Sequence, residues 1–155
     1  MSFTLSGLPV SRFAPLFGLP KDALAALGVV RETVTEPNAA PCRITLADAE
    51  PGETVLLLNF EHQPAATAYR SAHAIFVREA ATKTYERTDE IPEALLRRTL
   101  SLRAFDADGM MVDADICEGS AAAALVDRLM RVGGARYIHA HTARRGCFLA
   151  RIDPG

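Results

Sequence analysis

The sequence has no tryptophan, 6% aromatic residues and only three cysteines among 155 residues. Cys42, Cys117 and Cys147 are odd in number and widely spaced, which argues against a disulfide framework and favours a reducing cytoplasm. The 17 basic and 19 acidic side chains give a net charge of -2, without a surplus of either sign. Binding to a phosphate backbone depends on such a basic surplus, so nucleic acid is not an expected partner.

Long apolar runs are also missing. No window reaches the ~18 continuous apolar residues of a membrane helix, and residues 1–7 lack the basic region and apolar stretch of an export signal. We therefore expect no membrane association and a cytoplasmic location. The composition, 49% hydrophobic and 23% charged, is that of a folded globular protein. At this length the chain predicts one domain over residues 1–155.

Turn residues separate several short strand candidates. The apolar run 53–60 predicts a strand covered on both faces, and 73–78 predicts its neighbour. The polar segment 61–70 between them is predicted to be a loop, long enough to carry function. Asp108-Gly109 predicts a hairpin between strands at 101–105 and 110–117.

The last third of the chain predicts one clear helix and a second hairpin. Ser120 is a suitable N-cap for a helix over 121–132, which Gly133 would end. Residues 136–142 and 147–152 predict two strands joined by a turn at Gly146. Strands beside strands, with helices inserted singly, predict an α+β fold with a mostly antiparallel sheet and a few short helices.

The segment 137–142 carries two of the four histidines. Side chains alternate along a strand, so His139 and His141 are predicted to share one face with Tyr137. Two adjacent imidazoles can ligate a metal, transfer protons or line a polar pocket. This segment is therefore the first candidate for a functional site.

As a metal site, His139 and His141 would supply two ligands to Zn²⁺ or another divalent transition metal. A tetrahedral site needs a third and usually a fourth ligand. Sequence spacing does not select that ligand among the remaining candidates, which are Cys147, His62, His73, Glu61 and Asp115. Histidines hydrogen-bonded inside a half-buried sheet are the alternative.

As a catalytic site, Cys147 would be a nucleophile with His139 or His141 as its base. Arg144 and Arg145 precede it in the predicted turn, where their charge would favour a thiolate. The alternative is an inert cysteine next to a solvated hairpin tip.

As a ligand site, the same strand would form the floor of a pocket lined by Tyr69, Arg70 and His73. The Arg70 guanidinium is suited to a carboxylate or phosphate, so the expected ligand is small and polar or anionic. Such residues are equally typical of an exposed loop.

Three blocks of the sequence are distinctive: Ala68–Arg78, Leu100–Gly109 and Tyr137–Ala143 with Gly146-Cys147. They resemble a bacterial family, domain of unknown function 1203, and the likeness extends to Gly18-Leu19-Pro20 and Ala150–Asp153. The resemblance implies a soluble bacterial single-domain protein. It implies no activity and no catalytic residues.

Three hypotheses follow. The first is a small-ligand-binding or interaction domain, with a homodimer as its expected assembly. The second is an enzyme of unassigned class, hydrolytic in its simplest form, that uses His139 or His141 as base or metal ligand together with Cys147. The third is a structural subunit without pocket chemistry.

Overall fold

Two antiparallel sheets form the framework in a computed structural model that describes residues 1–155. The strands are β1 (Phe3–Ser6), β2 (Val30–Thr33), β3 (Thr54–Gln63), β4 (Ser71–Arg78), β5 (Glu86–Thr88), β6 (Thr99–Phe105), β7 (Met111–Glu118), β8 (Tyr137–Thr142) and β9 (Phe148–Pro154). The helices are α1 (Lys21–Ala26), α2 (Glu93–Leu96) and α3 (Ala122–Met130), with 3-10 turns at Val10–Arg12, Ala14–Leu16 and Gly119–Ala121. No helix is long and apolar enough to cross a membrane.

The large sheet has the strand order β5-β1-β9-β8-β6-β7. Because side chains alternate along each strand, the sheet has one apolar and one polar face. Leu102 and Ile138 belong to the apolar face, which packs against Leu125 and Leu129 of α3. The opposite face of β8 carries His139 and His141. The main core therefore lies on one side of this sheet and the candidate site on the other.

The small sheet has the order β2-β3-β4, so β3 is its central strand. Leu56, Ile75 and Val77 are buried and pack with Phe13 and Leu24 of the amino-terminal segment. The other face of β3 is only partly covered. Val55 is buried there, whereas Asn59 is exposed, so the expectation of a strand covered on both faces holds at one end only.

The predicted α+β fold and its mostly antiparallel pairing are confirmed, although the strands divide between two sheets. Both hairpins are present as β6-β7 and β8-β9. The helix predicted over 121–132 begins with a 3-10 turn at Gly119 and ends at Met130. The predicted loop 61–70 is wrong at its start, because β3 continues through a bulge to Gln63.

The start of that helix depends on a glycine without space for a side chain. A Cβ atom on Gly119 would lie 2.1 Å from the Leu95 carbonyl oxygen and 2.5 Å from that of Leu96. We expect Gly119→Ala to lower the free energy of unfolding by about 2 kcal/mol or more, since backbone must shift to accommodate the methyl group. Gly133→Ala is the matched control for urea unfolding, because a Cβ atom on Gly133 would meet no atom within 4 Å apart from its chain neighbours. Equal effects of the two changes would contradict this account.

Candidate metal centre

Strands from both sheets bring all four histidines of the chain together. The His62 ring centroid lies 4.9 Å from that of His141, 5.3 Å from that of His73 and 6.1 Å from that of His139. His139 and His141 share one face of β8, as the alternation predicts, with 6.4 Å between their ring centroids. The site therefore lies where the small sheet packs against the polar face of the large one.

A β-bulge lies at His62. Glu61 pairs with Ala72 and Gln63 pairs with Ser71, so His62 is the extra residue of β3. Bulges redirect a side chain and often occur next to functional sites. The His62 ring stacks on Phe148 at 5.3 Å with an interplanar angle of 5°. The His62 ring also stacks on the ring of His73 in the neighbouring strand β4.

Three of these histidines lie close enough to one another to hold a metal ion. Nitrogen atoms of His62, His73 and His141 all lie within 4.8 Å of one another. His141 Nδ1 is 2.9 Å from the Gly146 carbonyl oxygen. Because a carbonyl oxygen only accepts, Nδ1 must donate, and Nε2 of the neutral ring carries the free lone pair. Metal-binding histidines are commonly oriented by such a hydrogen bond.

The cluster leaves many buried polar atoms without partners. The atoms are both ring nitrogens of His62, Nδ1 of His73, Nδ1 of His139 and Nε2 of His141. Buried polar groups in folded proteins nearly always have a hydrogen-bonding partner, and leaving one unpaired costs about 1–3 kcal/mol. Five such atoms at one place are therefore a feature to be explained by a ligand.

Burial keeps the rings of His62, His139 and His141 neutral. Desolvation, followed by the positive fields of His73 and Arg103, lowers the pKa of His62 to about 4. Desolvation is also the largest cause for His139 and His141, and it lowers the pKa of each to about 3. At neutral pH the imidazoles of His62, His139 and His141 are thus unprotonated, which is the form that binds metal ions.

His139 lies beside the three-histidine group and is not part of it. Its ring contacts the rings of Phe105, Tyr137 and Phe148 at centroid distances of 5.1 to 5.2 Å. It is 3% exposed and His141 is 1% exposed, so the expected open pocket floor is filled by packed rings. The half-buried His73 is the member of the cluster nearest to solvent.

The other predicted site residues are placed differently. Tyr69 packs edge-on against Phe105 at 6.3 Å. Arg70 is exposed, and its Nε donates to Glu61 Oε2 at 3.0 Å, so its guanidinium is already paired. Cys147 is a free, half-buried cysteine that forms no hydrogen bond to a histidine. Instead it lines a cleft together with Arg43, whose Nε donates to the Phe148 carbonyl oxygen.

The sequence predicts His62 only as one of several alternatives for a third metal ligand, whereas it predicts His73 also as a residue of the ligand pocket. A signal for His62 was present, since Leu56, Leu58, Phe60 and His62 continue one alternating series past the predicted end of the strand. No local sequence pattern shows that this side of β3 packs against β8.

A family model described as "Protein of unknown function (DUF1203)" matches residues 39–153. The match contains all four histidines and confirms the resemblance seen in the sequence, while Gly18-Leu19-Pro20 lies outside it. The searches of curated proteins and of solved structures gave no match.

Proposed function

The chain belongs to the DUF1203 family, and on that premise we propose that it is a metal-dependent binding domain for a small polar ligand. His62, His73 and His141 would hold Zn²⁺ or another divalent transition metal. Imidazole nitrogens suit these ions, and three ligands leave a coordination position for water or a ligand atom. The observation that carries the proposal is a cluster of three histidines with ring nitrogens within 4.8 Å of one another, in which each ring has a buried nitrogen without a partner.

The environment supports a binding role. The Gly146 carbonyl orients His141, and the stacked rings of Phe148 and His73 hold His62. Because these histidine side chains are already fixed, they lose little conformational freedom when the ion binds. Because His73 is half-buried, a ligand on the ion would enter beside this residue.

Zinc titration of protein without a His tag tests the proposal. Metal-stripped protein should bind one equivalent of Zn²⁺, and His73→Gln should weaken the affinity at least about 100-fold. His139→Gln is the control, since it removes an imidazole of the same cluster that is not one of the three proposed ligands. Absence of stoichiometric zinc binding, or an equal loss of zinc affinity in both variants, would rule out this centre.

One observation favours a second candidate, a hydrolytic enzyme. His139 has a neutral ring with an unpartnered Nδ1 and lies 6.1 Å from His62 between ring centroids. A three-histidine zinc ion would itself lower the pKa of its bound water, and the unpartnered Nδ1 of His139 would accept a hydrogen bond from that water and orient it. Screening of ester and phosphoester substrates tests this: His139→Gln should lower kcat about 100-fold while zinc affinity is kept.

Cys147 is not needed by either candidate, because no imidazole is hydrogen-bonded to its thiol. We therefore expect Cys147→Ser to retain zinc binding. Bacterial origin, a cytoplasmic location and a homodimer stay predictions from the sequence, and sedimentation velocity is the direct check of the dimer.

A further inference from the structure

A second locus lies outside the histidine cluster. A cleft of about 1140 Å³ opens between the partly covered face of the small sheet and the turn that joins β8 to β9. Its lining contains five arginines and a single acidic residue, Glu32. The arginines are Arg43, Arg97, Arg98, Arg144 and Arg145. In a chain whose net charge is -2, this is a local concentration of positive charge.

Two of the five arginines have carboxylate partners. Arg98 Nη2 lies 2.6 Å from Asp48 Oδ1, and Arg97 pairs with Glu93. Arg43, Arg144 and Arg145 take part in no ion pair. Three guanidinium groups in one concavity are therefore uncompensated.

Arg43 is the most informative of the three, because it is only 3% exposed. Its Nε donates to the Phe148 carbonyl oxygen at 2.7 Å, and its Nη1 donates to that of Pro41 at 2.5 Å. Burial lowers the pKa of Arg43 to about 10, so the group stays charged at neutral pH. Buried charges are ordinarily paired. Here the main chain orients the guanidinium, and no carboxylate lies within ion-pair distance of it.

We propose that this arginine cleft binds a small organic anion with two or more phosphate or carboxylate groups. Arg43 would bind one oxyanion at the buried wall, and the exposed Arg144 and Arg145 would bind another from the turn. Half-buried Leu57 and Phe76 offer an apolar surface for the body of the ligand. The volume suits a small molecule.

Calorimetric titration of metal-free protein with inorganic pyrophosphate and with citrate tests the proposal independently of the histidine centre. Saturable binding of pyrophosphate alone assigns the cleft to phosphate compounds, and binding of citrate alone assigns it to polycarboxylates. The double variant Arg144→Gln/Arg145→Gln should raise Kd at least about tenfold. Arg43→Met should abolish binding, but it also leaves two carbonyl groups unpaired, so the turn variant carries the test if Arg43→Met does not fold.

Arg87→Gln/Arg136→Gln is the matched control. It removes the same charge from two exposed arginines that lie outside the cleft and form no ion pair. Its Kd should stay within about twofold of the wild-type value, since screened surface charges contribute little. Absence of saturable binding for both probes, or equal losses in the turn variant and the control, would overturn the proposal.

Discussion

The metal-free protein should lose stability steeply as the pH falls below 6.5, the ordinary pKa of histidine. In the folded state the pKa is about 4 for His62 and about 3 for His139 and His141. Between these values the unfolded chain binds protons that the folded protein does not. Each histidine then removes about 1.4 kcal/mol of stability per pH unit, and above pH 6.5 the effect vanishes.

Burial is the main cause, and the charges around the cluster act in the same direction. Arg103 of β6 lowers the pKa of all three histidines, and Arg151 of β9 lowers that of His139. The hydrogen bond from His141 to the Gly146 carbonyl acts in the opposite direction, because it favours a protonated ring, yet desolvation outweighs it. Protonating any ring would place an unpaired charge in a desolvated site.

Urea unfolding in the presence of a chelator, at several pH values from about 7 to about 5, measures this effect. Saturating Zn²⁺ should raise stability at the upper end of the range and lose its effect at the lower end, since protons compete for the same nitrogens. A free energy of unfolding that stays constant across this range would show that the rings are accessible and protonate freely when folded.

Replacing His62 by leucine should stabilise the metal-free protein and abolish metal binding. Both nitrogens of His62 are buried without partners, so the change removes two unsatisfied polar atoms and retains an apolar side chain of similar size. We expect a gain of about 1–2 kcal/mol in the absence of metal, after allowing for the lost stacking on Phe148. Zinc at 100 times its Kd should add about 2.7 kcal/mol to the wild type and nothing to the variant.

His141→Leu is the contrasting variant. It also removes an unpartnered nitrogen, but it leaves the Gly146 carbonyl without its hydrogen bond, so little or no gain is expected. If His62 only fills space in the core, His62→Leu should instead be destabilising, and zinc should stabilise neither protein. Thermal unfolding with and without zinc distinguishes these outcomes.

The local pattern of the chain predicts its elements well. Asp108-Gly109 and Gly146 mark the two hairpins, because positive backbone angles are needed at those glycines, where φ is 84° and 76°. Alternation alone places His139 and His141 on the same face of β8. Neither a turn glycine nor an alternating pattern predicts strands β1 and β5. They are short, and their register is set by pairing with residues far along the chain.

Residue type and period thus determined by themselves that the chain folds as an α+β protein and that β8 presents two imidazoles together. Only the tertiary structure decided which histidines meet, because His62 and His73 belong to the small sheet and lie beside His141 only where the two sheets pack together. The unpaired charge of Arg43 is likewise a tertiary property. The physical reason is the same in both cases: local spacing controls the direction of a side chain, whereas its partners depend on segments about 70 or more positions away, brought near by burial of apolar surface.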